Sequence, residues 1–252
     1  ILAVVWMGPL PARAEEVKDG VGQAKLPDSS VYEGEFRSGL FNGQGTLTYR
    51  NGGKFTGEFQ DGLIHGKGEM VRANGDRIGG EYRDGRLNGA GWVIYKNGSK
   101  YEGGFKDDQF DGQGVFVYAG GEKYAGGFKD GSYSGLGVFS FADGSRMSGE
   151  FKENLMNGKG VMDRPNGDKY EGEFRQNVPN GQGLYVYSNG ARLEGEFKDG
   201  YLNGQGLMVQ ANGDRYEGEF VHSRPTGKGV DECANGVRLE GDFKEGYLNG
   251  MV

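Results

Sequence analysis

The sequence predicts an all-β protein: an elongated single antiparallel sheet of stacked β-hairpins, solenoid-like in build. Three observations predict it. Aromatic residues and glycines recur with a twenty-three-residue period, and an Asn-Gly pair falls once in most periods between alternating apolar runs. The third is the composition, with 52 glycines and only 6 prolines in 252 residues. Glycine-rich chains of low hydropathy are often disordered. Here 14 Tyr and 15 Phe argue for a packed core, and glycines held at fixed backbone positions reconcile the two.

Alignment on Tyr32-Glu33-Gly34-Glu35-Phe36 gives repeat starts at Tyr32, Phe55, Ile78, Tyr101, Tyr124, Met147, Tyr170, Leu193, Tyr216 and Leu239, without insertions. Counting each start as position one, positions three and twelve are Gly in every repeat, and position five is aromatic in every repeat. Positions fourteen and twenty-one are Gly in all nine complete repeats. Position eight is Gly, or else Asp108, Asn154, Asn177 or Ser223.

Position twenty is mostly Asn, as in Asn51-Gly52, Asn74-Gly75 and Asn97-Gly98. Asn and Gly both tolerate positive φ, so the pair predicts a two-residue type I′ turn. Position eight then supplies a left-handed residue in a second, longer loop. Strands are expected from position twenty-three to six and from thirteen to nineteen. Pro27, Pro165, Pro179 and Pro225 fall at strand ends or loops.

A two-residue turn sets position seventeen opposite the next position one. It therefore predicts an apolar face built from positions one, five, fifteen and seventeen, with Val115/Val117, Leu184/Val186 and Leu207/Val209 as examples and Trp92 lying over Gly103. The opposite face would carry positions twenty-three, two, four, six, sixteen and eighteen, a ladder of Lys, Arg and Glu exposed to solvent.

The unit Tyr-Glu-Gly-Glu-Phe-Lys-Asp-Gly-x-x-Asn-Gly-x-Gly, seen in Tyr170 to Gly183 and Leu193 to Gly206, resembles the MORN repeat. The resemblance covers Tyr32 to Val252 and extends weakly to Asp19. It implies protein-interaction scaffolds, phospholipid-binding membrane modules, or regulatory repeat regions of enzymes such as lipid kinases and lysine methyltransferases. Fold alone does not choose among them.

The expected organisation is a truncated signal peptide over 1–14, a half repeat or cap over 15–31, and nine complete repeats with one truncated repeat over 32–252. Ala12-Arg13-Ala14 fits a cleavage motif after the apolar run Ile1 to Gly8. This points to a bacterial periplasmic or secreted protein, with membrane-anchored and cytoplasmic locations as alternatives. The array stops in mid-repeat at Gly250-Met251-Val252, so the native chain is expected to continue.

Net charge is −7, which gives no bulk attraction for nucleic acid. The only two histidines, His65 and His222, are seven repeats apart and cannot share a metal or a triad. Cys233 reads as a buried thiol. The many Gly-x-Gly pairs never open a helix as a phosphate loop does. No catalytic, cofactor or metal site is expected.

Departures from the period mark a candidate partner site. Gly79, Gly104, Ala125, Gly127 and Ser148 replace acidic residues in repeats three to six, near Tyr95, Phe116, Tyr118, Phe139 and Phe141. Small residues beside exposed rings predict a shallow apolar groove for an apolar or helical protein segment; self-association is an alternative use of the same rings. A phospholipid site would instead use the basic row Lys54, Arg77, Lys100, Lys123, Arg146, Lys169, Arg192, Arg215 and Arg238.

Overall fold

The structure is a computed structural model and describes residues 19–251; the expected signal segment at 1–14 lies outside them. The chain divides into two compact units, 1–132 and 133–252. In each, every strand pairs antiparallel with its neighbours in sequence. The first unit begins with the strand Gly20–Lys25 beside Val31–Arg37. The second carries the same ladder, for example Leu155–Asp163 beside Lys169–Arg175 and Val178–Val186. No helix occurs among the described residues.

Each repeat contributes two strands. The first runs from position twenty-three to six, as in Lys54–Gln60, and the second from nine to seventeen, as in Leu63–Val71. The second strand thus starts four residues earlier than the sequence predicts and ends two earlier. The turns account for this, because they occur in the opposite order to the one expected.

The two-residue turn lies at positions seven and eight. Asp61 and Gly62 have φ of 49° and 85°, and Glu153 and Asn154 have 51° and 68°, both residues left-handed as a type I′ turn requires. At Asn-Gly the loop has three residues. Tyr49 N–H donates to the Gly53 carbonyl at 2.8 Å, and Gly52 N–H donates back to the Tyr49 carbonyl at 2.9 Å. Only the glycine is left-handed there, with Gly52 at 87°. This is a type I turn closed by a glycine bulge. Asparagine serves it through its side chain: Asn51 Oδ1 accepts the N–H of Gly53 at 2.9 Å, and Asn97 Oδ1 accepts that of Ser99 at 2.9 Å.

One extra loop residue shifts the ladder by one, and a shift of one turns every side chain of the second strand to the other face. Position sixteen, not seventeen, stands opposite position one. In the first unit Phe116 pairs with Tyr124 and Val117 with Lys123; in the second Tyr185 pairs with Leu193 and Leu184 with Glu194. Val115/Val117, Leu184/Val186 and Leu207/Val209 therefore share the charged face, contrary to the sequence reading. Tyr95, Phe116, Tyr118, Phe139 and Phe141 share the aromatic one. Trp92 lies over Gly79, its ladder partner, and not over Gly103; Arg77 stacks 5.8 Å from the Trp92 ring centre.

The core is a row of rings along the first strands. Tyr32 is fully buried; it stacks on Phe41 at 3.8 Å and meets Phe36 and the next repeat's Phe59 edge-on at 5.1 and 5.0 Å. Its hydroxyl donates to the Glu35 carbonyl at 2.9 Å. Burial, with the Glu35 charge adding to it, pushes the phenol up to about 12, so the proton stays on. In the second unit Tyr170 repeats this against Phe174 and Phe197. Each such ring lies across two glycines on adjacent strands, Gly34 and Gly45 or Gly172 and Gly183, where a Cβ would collide with it. Where position one is shorter, position ten fills the space: Met156 covers Gly149 and Gly160, and Leu202 covers Gly195 and Gly206.

A bulge follows position three. Gly57 pairs with Gly68 and Phe59 with Ile64, which leaves three residues opposite Glu58 alone. Gly66, left-handed at φ 72°, makes the bend, and the Glu58 carboxylate covers it while accepting the Lys67 N–H at 3.3 Å. Position four is therefore acidic for a local reason, to close the bulge.

Two glycine substitutions separate packing from backbone strain. Gly183→Ala places a methyl inside the buried Tyr170 ring and is expected to cost about 1–3 kcal/mol. Gly190→Ala, with φ 88° and nothing within 4 Å, carries only left-handed strain, about 1 kcal/mol. Urea denaturation of the two variants should rank them in that order.

Candidate interaction surface

The described residues hold no group of three or more His, Cys, Asp or Glu able to bind a metal. His65 sits 3.7 Å from Asp84, across the joint between two repeats, where other repeats place an Asn that accepts a backbone N–H. His222 lies against the Tyr201 ring at 5.5 Å. Cys233 is half-buried and not fully buried as expected, and its thiol is pushed up by desolvation and then by the Asp214 and Asp231 charges, which disfavour a thiolate.

The surface that stands out runs along positions sixteen and eighteen, at the rim of the aromatic face. In the first unit Tyr95 is 6.0 Å from Phe116, Phe116 is 4.6 Å from Tyr118, and Phe116 leans on the half-buried Phe110 at 6.2 Å. Tyr118 is 38% exposed. In the second unit Phe139 and Phe141 are 4.7 Å apart, with Phe139 against the buried Tyr133 at 6.3 Å. Phe141 is 39% exposed.

The sequence reading missed two members of this row, Tyr185 and Tyr187, whose rings are 4.6 Å apart and of which Tyr187 is 37% exposed. They occupy positions sixteen and eighteen like the others, so the alignment alone could have found them. Tyr49 is a further ring at position eighteen, but it is buried, and desolvation pushes its phenol up to about 12. Desolvation also raises the Tyr95 phenol, with Arg72 opposing.

The small residues expected to form a groove beside these rings do not do so. They lie on the other face of the sheet, and at two of them the space is filled. A Cβ on Gly79 would enter the Trp92 ring, and one on Gly104 would strike the Asp111 carbonyl. Gly104 lets the bulge close on backbone alone.

The basic row also lies on that other face, and several members have partners. Arg77 Nε is 2.7 Å from Glu69, Lys169 is 3.4 Å from Glu171, Arg238 is 3.1 Å from Glu240, and Arg215 pairs with Glu217. These are exposed pairs and add little stability. They do offset positive charge on this face.

Carboxylates at position twenty-two stitch neighbouring loops. Asp168 Oδ1 accepts the Ser188 N–H of the next repeat at 2.9 Å, while Oδ2 accepts Asn166 Nδ2 at 2.9 Å and the Tyr185 hydroxyl at 3.1 Å. Asp214 does the same with Ala234 and Asn212 at 2.9 and 2.7 Å. Bonds from backbone N–H groups, the largest cause, hold both carboxyls below the ordinary value of 3.8.

A sheet of stacked hairpins recurring every twenty-three residues, with an aromatic face, defines a repeat protein. The MORN repeat family matches at residues 32–54, 55–77, 80–100, 101–123, 124–146, 148–169, 170–192, 194–215 and 216–238. The chain belongs to this family. No curated protein matches it in sequence. Among solved structures it is similar to the TCP10 domain of Danio rerio CPAP, at 12% identity over 88% of this chain and 100% of that one, with a TM-score of 0.42. It is also similar to the SAS-4 (dCPAP) TCP domain of Drosophila melanogaster, solved in complex with a proline-rich motif of Ana2, at 12% identity over 93% and 99% with a TM-score of 0.32. Virginiamycin B lyase from Staphylococcus aureus aligns at 12% identity over 90% and 84%, with a TM-score of 0.18. These likenesses are too slight to carry a conclusion.

The loop carboxylates make the array acid-sensitive. Their folded-state pKa lies below the unfolded value, so their contribution is complete above that value and is lost as pH falls through the folded one. Thermal midpoints should be level above about pH 5 and fall below about pH 4. The Asp168→Asn/Asp214→Asn variant keeps the acceptor oxygen but not the charge, and its acid-side decline should be shallower.

Proposed function

We propose that this chain is a non-catalytic protein-interaction scaffold whose partner lies along the rings at positions sixteen and eighteen. One observation carries the reading. Large aromatic side chains stay more than a third exposed beside a core that could have buried them, as with Tyr118 and Phe141. Contiguous exposed rings mark interaction surfaces more often than isolated ones do. In the first unit the surface is Tyr95, Phe116 and Tyr118; in the second it is Phe139 and Phe141, extended by Tyr185 and Tyr187.

Two features of repeats three to six favoured them, their rings and their small residues. The rings still support the reading, now on the aromatic face. The glycines support it no longer, because Gly79 and Gly104 are already covered. Phospholipid binding through the basic row finds less support, since Arg77, Lys169, Arg215 and Arg238 stand beside carboxylates.

The test is a panel of fifteen-residue apolar peptides, helical and extended, titrated against the full chain by fluorescence anisotropy. Some should bind, and Phe116→Ala/Phe139→Ala should weaken them at least tenfold while the far-UV circular dichroism is unchanged. Undiminished binding by the variant would reject the surface. Salt-sensitive sedimentation with phosphatidylserine vesicles, lost on Lys100→Glu/Lys123→Glu, would favour the lipid role instead.

A further inference from the structure

Position eighteen reads Tyr49, Arg72, Tyr95, Tyr118 in the first unit and Phe141, Arg164, Tyr187, Gln210, Cys233 in the second, so that in each an arginine stands midway between two rings, of which Tyr49 is buried. No carboxylate lies within ion-pair distance of Arg72 or Arg164 among the described residues, in contrast to the paired arginines of the opposite face. Both guanidinium charges do reach the neighbouring phenols: Arg72 lowers the pKa of Tyr95, and Arg164 lowers those of Tyr185 and Tyr187, against the dominant desolvation. Arg72 also lies near Asp108, whose carboxyl is raised by burial despite it.

The spacing of this ladder is fixed by the sheet. Strands lie about 4.8 Å apart, so residues at one position recur about every 9.6 Å, two strands per repeat. A polyproline II helix rises about 3.1 Å per residue with three residues per turn, so its equivalent side chains recur about every 9.3 Å. The two periods agree to within about 4%. An α-helix, at about 5.4 Å per turn, falls out of step with the rungs within one repeat. A chain in the polyproline conformation has no internal hydrogen bonds to break and little entropy to lose, and aromatic-lined grooves are what bind it.

We propose that the partner of this surface is a proline-rich segment in the polyproline II conformation, lying across the strands, with prolines against the rings and an acidic residue at the arginine. The pattern it calls for is Pro-x-x-(Asp/Glu)-x-x-Pro, each third residue meeting one rung. Charge complementarity selects the acidic residue, because Arg72 and Arg164 are the rungs that lack a carboxylate partner. The inference rests on the scaffold reading above and names the chemistry of its partner.

The experiment titrates the full chain with three labelled peptides: one of the pattern Pro-x-x-Glu-x-x-Pro, the same peptide with Lys for Glu, and an apolar helical peptide of equal length. The glutamate peptide should bind best. Tyr95→Ala/Tyr187→Ala should weaken it at least tenfold, and Arg72→Glu/Arg164→Glu should reverse the preference in favour of the lysine peptide. Circular dichroism of both variants should match the parent. Binding of the helical peptide alone, still sensitive to Phe116→Ala/Phe139→Ala, would overturn the proline-rich assignment and leave the scaffold intact. Glutamate-peptide binding that ignores the arginine reversal would overturn the charge assignment, and binding of none of the three would overturn the inference.

Discussion

The structure depends on one close approach: a buried ring laid flat across two glycines on neighbouring strands. Tyr32 over Gly34 and Gly45, and Tyr170 over Gly172 and Gly183, have no room for a Cβ at either glycine. The ring covers backbone that glycine would leave exposed to water, and it meets edge-on the ring at position five of its own repeat and of the next. Where position one is aromatic, the repeat is thus tied to the next by ring contact as well as by the ladder. That explains why positions three, five and fourteen vary so little within the chain, while position one keeps a large apolar or aromatic side chain.

Once the first strand's rings fill the inner part of this face, the second strand's outward residues are left at its rim. In repeats four and five positions sixteen and eighteen touch the core on one side, as Phe116 touches Phe110 and Phe139 touches Tyr133, and reach solvent at Tyr118 and Phe141; Leu47, Tyr49 and Val93 at the same positions are buried. Side chains of several sizes are accommodated there. Leu47, Met70, Val93, Phe116 and Asp231 all occur at position sixteen. A surface of this kind carries specificity at low cost to the fold, which is what a binding scaffold needs.

The period, the fold class and the strand count per repeat were legible in the sequence because glycine and aromatic side chains report them directly. The faces were not. Asn51-Gly52 and Asp61-Gly62 are both strong hairpin pairs, and composition cannot tell which closes a two-residue and which a three-residue loop. The structure decides by backbone: Asp61 is left-handed, whereas Asn51 keeps its ordinary φ and spends its side chain on the Gly53 N–H. That one-residue difference moved Phe116 and Tyr118 from the charged face to the aromatic one. It also turned the glycines at 79 and 104 from an expected groove into points of close packing. The arginines at 72 and 164 stand at a position that carries a ring in five of nine repeats, and the ladder places that position on the aromatic face.

The register of the second strand is the claim on which the assignment of the rings stands, and solution NMR reads it directly. Backbone nuclear Overhauser contacts should join Phe116 to Tyr124 and Tyr185 to Leu193 across the strands. Contacts joining Val117 to Tyr124 and Val186 to Leu193 in their place would return the rings to the charged face and contradict the account.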